Sequence, residues 1–110
     1  MDLALFVQWR LRLALLDTEM FQEESSVELR ILLYIYLNKG LIDRKTLLDQ
    51  FNLDRITMRT RIRTLINRKL IKVEESEIDR RQKNYLILQG GVKLLRDYRD
   101  EVIKKTFLFT

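Results

Sequence analysis

The chain has 110 residues and a formal net charge of +5, from 21 Lys and Arg against 16 Asp and Glu, which fits one domain with one core. Its hydrophobic content of 46% is too high for a disordered basic tail. Cysteine and histidine are absent, which excludes disulfides, a thiol nucleophile, a Ser-His-Asp triad and nearly every zinc site. No acid–base pair, phosphate-binding loop or metal-ligand spacing is present either, so we expect neither an enzyme nor a cofactor.

The N-terminal segment from Asp2 to Asp17, DLALFVQWRLRLALLD, consists of good helix formers. Its apolar residues are not confined to one stripe, so a helix here has to be covered on most sides. Because a small domain rarely surrounds its own terminal helix, we expect one face to pack on the core and another on a second subunit. A helix that is merely docked on its own core is the alternative.

The same segment does not have the pattern of a targeting signal, because it opens with Asp2 and is interrupted by Arg10 and Arg12. It is also too short for a membrane span. We therefore expect a cytoplasmic protein with no membrane partner.

An acidic stretch from Asp17 to Glu24 comes next and leads into Ser25 and Glu28, which have capping-box spacing. This spacing predicts that a second helix starts there. The helix is expected to run to Gly40, because glycine suits the left-handed position that ends helices.

Two further helices are predicted from aspartates that can cap them. Asp43 precedes a short helix, RKTLLDQF, that closes at Asn52. Asp54 precedes a longer helix from Arg55 to about Lys69, with a predicted buried stripe of Met58, Ile62, Leu65 and Ile66. At about 100° per residue, the opposite face carries Ile56, Arg59, Thr60, Arg63 and Asn67.

The C-terminal part changes pattern after Leu70. The segments IKVEES and YLIL, joined by the polar EIDRRQKN, predict a β-hairpin. Gly90 and Gly91 are expected to break the chain before a final helix, which has Val92, Leu95, Tyr98 and Val102 on one side and ends in an apolar tail.

These elements predict a mainly α protein with a β-hairpin wing, a winged helix-turn-helix whose terminal helices form a dimer interface. Within one compact domain, we expect an N-terminal dimerisation helix and acidic connector in residues 1–24. The DNA-binding region would comprise residues 25–88, and a C-terminal dimerisation helix residues 89–110.

The positive charge is concentrated in one segment. Arg55 to Lys72 contains seven bases and no acid, while the other 92 residues together carry a net charge of −2. Like charges four residues apart, such as Arg55 and Arg59, destabilise a helix by roughly a few tenths of a kcal/mol per pair. This segregation favours an anionic partner over the alternative, a solvated basic face with no partner.

Arginine dominates this segment, and its planar fork binds guanine or phosphate through two hydrogen bonds. Thr57 and Thr60 are short enough to let a helix approach DNA closely, and threonine methyls can contact thymine. The hairpin loop adds three more bases in the run Asp79-Arg80-Arg81-Gln82-Lys83. Together, the helix and the loop predict binding to double-stranded DNA.

The run from Leu53 to Met58, with Leu65, Leu70-Ile71 and the triplet Asp79-Arg80-Arg81, resembles the MarR (multiple antibiotic resistance repressor) family of winged-helix regulators. The resemblance covers roughly Val27 to Tyr98. Lys69 stands where this family commonly has glycine. The resemblance implies a dimer with interlocking terminal helices, a recognition helix in the major groove and a wing arginine in the minor groove.

On this interpretation the candidate DNA-binding residues form three groups. Arg59, Thr60 and Arg63 would lie at base edges. Arg55, Thr57 and Lys72 would lie near phosphates. Arg80, Arg81 and Lys83 would lie on the wing. By the resemblance, Asp79 would orient basic side chains, and Arg81 or Arg80 would enter the minor groove.

The candidate dimer interface comprises large apolar residues near both chain ends, namely Leu5, Phe6, Trp9, Leu13, Val102, Phe107 and Phe109. The sequence thus predicts a homodimeric transcriptional regulator, with repression as its expected output, that binds a pseudo-palindromic site. A plasmid or phage replication or partition factor is one alternative, and a winged-helix protein-interaction module is another. The sequence does not identify a small-molecule effector.

Overall fold

A computed structural model describes residues 1–21, 26–79 and 81–107, with side chains for residues 1–15, 26–79 and 81–104. The described elements, in chain order, are α1 (Leu3–Phe21), α2 (Val27–Leu37), β1 (Leu41–Asp43), α3 (Arg44–Asp49), α4 (Arg55–Asn67), β2 (Ile71–Glu75), β3 (Lys83–Ile87) and α5 (Gln89–Phe107). This confirms the predicted fold class, a mainly helical chain with a hairpin wing. None of the described helices is both long and apolar enough to cross a membrane.

Helix α1 packs on α2 and α5 through one of its two apolar faces. Leu3, Phe6, Val7 and Leu11 on this face are all less than a tenth exposed and belong to the same core as α2. The helix continues to Phe21, so Asp17–Phe21 is helical where a connector was predicted. No glycine or proline interrupts the chain there, so the helix continues.

Helix α2 is capped one residue later than predicted. The hydroxyl of Ser26, not Ser25, accepts a hydrogen bond from the amide of Leu29 at 3.4 Å. An N-cap oxygen binds the amide three residues on, and Ser26 holds that position relative to Leu29. Ser25 lies outside the described residues.

Helices α2 and α4 are each followed by a lysine in the left-handed conformation, and after α2 the next residue, Gly40, is left-handed as predicted, with φ 83°. Lys39 has φ 62° after α2, and Lys69 has φ 60° after α4. In α4 the amide of Leu70 donates to the carbonyl of Leu65 at 3.1 Å, and the amide of Lys69 donates to that of Ile66 at 2.9 Å. This is the Schellman pattern. It turns the chain sharply out of α4 and into the wing.

The three strands form an antiparallel sheet in the order β1-β3-β2. The predicted hairpin is confirmed, although β3 begins at Lys83, two residues earlier than predicted. Strand β1 was not predicted, because three residues with only Ile42 buried carry no detectable alternation. It exists because Leu41, Ile42 and Asp43 pair with β3.

The predicted final helix begins three residues earlier than expected, at Gln89, so Gly90 and Gly91, expected to separate the hairpin from the helix, lie within the first turn of α5. Their role is close packing. A Cβ on Gly91 would lie 2.5 Å from the carbonyl oxygen of Leu70 and 2.6 Å from Cγ1 of Ile87. Gly91 therefore lets α5 pack directly on the chain that leaves α4.

Replacing Lys69 with glycine should stabilise the fold. The left-handed conformation costs a residue with a Cβ about 1–2 kcal/mol, and the greater backbone entropy of glycine offsets about 0.5–1 kcal/mol of that. We expect Lys69→Gly to raise the free energy of unfolding by about 0.5–1 kcal/mol, measured by urea denaturation. Lys69→Ala removes the same charge but keeps the Cβ, so it should give no such rise. A glycine variant no more stable than wild type would contradict this account of the α4 terminus.

Candidate nucleic-acid interface

Helix α4 is fixed at its N-terminus by Asp54. The carboxylate accepts hydrogen bonds from the amide of Thr57 at 2.7 Å and from its hydroxyl at 2.8 Å. These bonds, first from the amide and then from the hydroxyl, hold the pKa of Asp54 below its ordinary value of 3.8. The predicted cap is confirmed. The hydroxyl of Thr57, expected near phosphate, is therefore already a donor within the protein.

The two faces of α4 are as the sequence predicted. Met58, Ile62 and Leu65 are buried and pack in the core with α2, and Ile66 is half-buried. The opposite face is exposed along the helix and carries Ile56, Arg59, Thr60, Arg63 and Asn67. The hydrophobic face therefore orients a row of arginines toward solvent.

An open groove of about 1080 Å³ lies beside this row, between α3, α4 and the wing. Its rim is strongly basic, because each of the three elements contributes two bases, and these are Arg44, Lys45, Arg55, Arg59, Arg81 and Lys83. Asp43 and Asp49 are the acids that line it. The carboxylate of Asp43 accepts hydrogen bonds from the hydroxyl of Thr46 at 2.6 Å and from its amide at 3.0 Å, which lowers the pKa of Asp43.

Two of the groove bases, Arg44 and Lys45, were not predicted as site residues. They are the first two residues of α3 and precede the basic segment by about ten positions. The signal that could have found them is their place directly after the Asp43 cap, where α3 begins. Only the fold brings α3 opposite the wing, which is why charge counting along the chain missed them.

Within the described residues, some basic residues near the groove have a carboxylate partner and others do not. Arg61 binds Glu28 of α2 at 3.4 Å, and Lys72 binds Glu74 at 2.7 Å. In the part of the chain that the structure describes, none of the six groove bases forms an ion pair. Lys72, predicted near phosphate, thus lies in a pair on the wing, whereas the groove bases are available to an anion from outside.

The wing tip is a tight turn in which Asp79 binds the main chain. Its carboxylate accepts the amide of Arg81 at 3.0 Å, and its carbonyl accepts the amide of Gln82 at 2.9 Å. Arg81 is exposed and Lys83 is half-exposed. Asp79 therefore shapes the turn that presents Arg81, while its predicted contact with basic side chains stays a prediction. Arg80 lies outside the described residues.

The predicted dimer-interface residues occupy different environments. Leu5 and Trp9 are 59% and 46% exposed, and Leu13 is partly exposed. Phe6 is instead 1% exposed, with its ring centroid 5.9 Å from that of Tyr98, so it is a core residue of its own chain. Val102 is half-buried against the core. The side chains of Phe107 and Phe109 lie outside the described residues.

Within the described residues, no group of three or more His, Cys, Asp or Glu side chains is placed to hold a metal ion. The site therefore has to be understood from its bases, its exposed apolar side chains and its shape.

The fold of this chain is also found in solved structures of other proteins. The chain is similar to the PcaV transcriptional regulator from Streptomyces coelicolor, solved in complex with its natural ligand, with 23% identity, a TM-score of 0.60, and coverage of 98% of this chain and 82% of that one. It is also similar to MarR, with 16% identity, a TM-score of 0.55, and coverage of 93% and 78% respectively. No protein-family model and no curated sequence matches the chain. The structural likeness confirms the fold that the sequence resemblance implies.

Acid should weaken the fold partly through the two aspartate caps. The pKa values of Asp54 and Asp43 are lowered in the folded protein, so their stabilisation is present above the ordinary value of 3.8 and is lost as the pH falls below it. We expect Asp54→Asn, which still caps α4 but does not titrate, to show a shallower loss of unfolding free energy on acidification. Asp54→Ala, which lacks the cap, should be less stable than wild type above the ordinary pKa of 3.8, and this difference should narrow on acidification. Parallel pH curves for wild type and the asparagine variant in urea titrations would contradict this.

Proposed function

We propose that this protein is a winged-helix regulator of transcription that binds double-stranded DNA as a homodimer, at a pseudo-palindromic site, and acts as a repressor. The observation that carries the proposal is the exposed arginine face of α4 beside a groove rimmed by six bases that form no ion pair within the described residues. Such bases are stabilised by phosphates, and an exposed helix of this width fits the major groove of B-DNA.

The geometry supports a division of labour among the bases. Arg59, Thr60 and Arg63 share the exposed face of α4 and would contact base edges. The groove between α3, α4 and the wing would take a phosphate backbone, with Arg44, Lys45 and Arg55 as its contacts. The wing would then reach the adjacent minor groove, with Arg81 at its tip.

A regulatory output is supported by the similar solved structures. Both PcaV and MarR share this fold over most of their length, and PcaV is described as a transcriptional regulator. The fold alone also serves other DNA-binding roles. Transcriptional regulation is nevertheless the function that the site and the similar structures favour together.

The homodimer is supported by the outer face of α1. Leu5, Trp9 and Leu13 follow one another at four-residue intervals and remain partly or largely exposed, while the opposite face of the helix is buried. Full burial of an exposed side chain of this size is worth about 1.5–3 kcal/mol, and these three would gain part of that. Pairing of this face across a two-fold axis would place two copies of α4 on one side of a duplex, about one helical turn, 34 Å, apart.

Binding to DNA should depend steeply on salt. If a dimer neutralises roughly 6–10 phosphates, its affinity for duplex DNA should fall by about 10³–10⁵ between 50 and 200 mM salt. Fluorescence anisotropy with a site selected from random duplexes measures this directly. A flat salt response would contradict the DNA-binding proposal and favour a protein-interaction module.

Two matched variants distinguish phosphate contacts from base contacts in the same anisotropy measurement. Arg44→Ala should weaken selected and random duplexes alike. It should also reduce the slope of log affinity against log salt concentration by about one per half-site, as loss of a phosphate contact does. Arg59→Ala should lower affinity for the selected site by about 1–3 kcal/mol and relax base preference at one position. If Arg59→Ala also weakened selected and random duplexes alike, Arg59 would not read bases.

A charge on the outer face of α1 should separate the subunits. Because Trp9 would be buried between them, we expect Trp9→Asp to yield monomers near 13.4 kDa in sedimentation equilibrium and to lose tight binding to a palindrome. Leu41→Asp is the control, since Leu41 is 42% exposed on β1 and its variant should stay dimeric. A wild-type mass near 13.4 kDa at micromolar concentration would contradict the dimer.

A further inference from the structure

One exposed residue of α4 has no role in the contacts described so far. Ile56 lies in the first turn of the helix and is 77% exposed, whereas Met58, Ile62 and Leu65 of the same helix are buried. Single exposed apolar side chains are common on protein surfaces. Ile56 differs in its location, because it lies on the face that carries Arg59 and Arg63, the face that would enter the major groove.

Helix periodicity places Ile56 in the centre of that face. At 3.6 residues per turn, Thr60 lies about 40° and Arg63 about 20° from Ile56 around the helix axis. Arg59 lies about 60° away on the same side as Arg63. The isoleucine therefore shares one face with two guanidinium groups, both on the same side of it, rather than lying on a separate surface.

Thr60 extends the apolar character of this face. Its hydroxyl donates a hydrogen bond to the carbonyl oxygen of Ile56 at 3.0 Å. With its donor used inside the helix, Thr60 offers a partner its methyl group and acceptor lone pairs. The N-terminal part of the face, around Ile56 and Thr60, is thus poor in donors, while the two arginines beside it are rich in them.

The major groove presents a matching pattern. The C5-methyl of thymine is the apolar feature there, and guanine offers the two acceptors that an arginine fork binds. We propose that Ile56 is a specificity-determining residue that reads a thymine methyl, next to a guanine contacted by Arg59 or Arg63. This inference rests on the proposed function and names the base that the recognition helix selects.

The test uses deoxyuridine, which differs from thymidine only by the absent methyl. A duplex site is first selected from random sequences with the wild-type protein, and each thymine of a half-site is then replaced singly by uracil. We expect one position at which uracil weakens wild-type binding about fourfold per half-site, the effect of losing about 0.8 kcal/mol for one buried methyl-sized group. Equilibrium anisotropy at fixed salt measures the ratio.

Two variants test whether Ile56 is the residue that contacts this methyl. Ile56→Ala should bind the thymine site more weakly than wild type and show no further loss with uracil at that position, because the interaction is already absent. Ile78→Ala is the matched control, since Ile78 is 98% exposed on the wing and its variant should keep the fourfold ratio. Both positions are on the surface, so circular dichroism should show folded proteins.

The outcomes separate this inference from the proposed function. If wild type binds its selected site with steep salt dependence but no thymine is sensitive to uracil, Ile56 does not read a methyl and the DNA-binding function stands. The same holds if Ile56→Ala keeps the uracil ratio, or if Thr60→Ser alone abolishes it, which would assign the methyl contact to Thr60. If no duplex binds at all, the proposed function fails and the inference fails with it.

Discussion

Burial of Met58, Ile62 and Leu65 in the core orients every other side chain of α4. Because these three residues occupy one side of the helix, the residues on the other side are turned outward as a rigid set, with spacing fixed by the helix itself. The Asp54 cap holds one end of this set, and the left-handed Lys69 holds the other. The proposed DNA-reading surface is thus the face of α4 opposite its buried hydrophobic face.

The same packing makes an unusual charge distribution tolerable. Seven bases without an acid between Arg55 and Lys72 repel one another, yet only Arg61 and Lys72 of this segment have carboxylate partners within the described residues. Arg61 gains its partner, Glu28, from α2, on which α4 packs. Within the described part of the chain the remaining arginines form no ion pair, and apolar packing beneath them holds them at the surface, so they stay available to an external anion.

Local signals predicted the local features of this fold. Asp43 and Asp54 were recognised as caps because an aspartate before a helix has a specific hydrogen-bonding role, and the buried and exposed faces of α4 followed from periodicity alone. The errors have tertiary causes. Strand β1 exists only by pairing with β3, and the Gly90–Gly91 pair serves close packing against Leu70 rather than a chain break.

The candidate site shows the same limit. The arginines of α4 and the wing could be found from charge along the chain, whereas Arg44 and Lys45 enter the groove only once α3 lies opposite the wing. Phe6 and Trp9 are equally apolar in sequence, and packing alone decides that Phe6 faces Tyr98 while Trp9 stays exposed. Sequence patterns therefore identify basic and apolar residues more readily than they show on which surface each of them lies.

The packing of α1 couples the two surfaces that the proposed function requires. The inner face of α1 contacts α2, and α2 in turn contacts α4, so the exposed stripe of Leu5 and Trp9 has a fixed position relative to the arginine face. The hydrogen bond from Nε of Arg10 to the hydroxyl of Tyr98 at 2.9 Å ties α1 to α5 as well. Since α5 packs through Gly91 on the chain leaving α4, α1 is joined to α4 by two routes, one through α2 and one through α5. In a dimer built on α1, the separation of the two α4 helices would therefore be set by packing within each subunit. A change in that packing would alter the half-site spacing without touching any DNA-contacting residue.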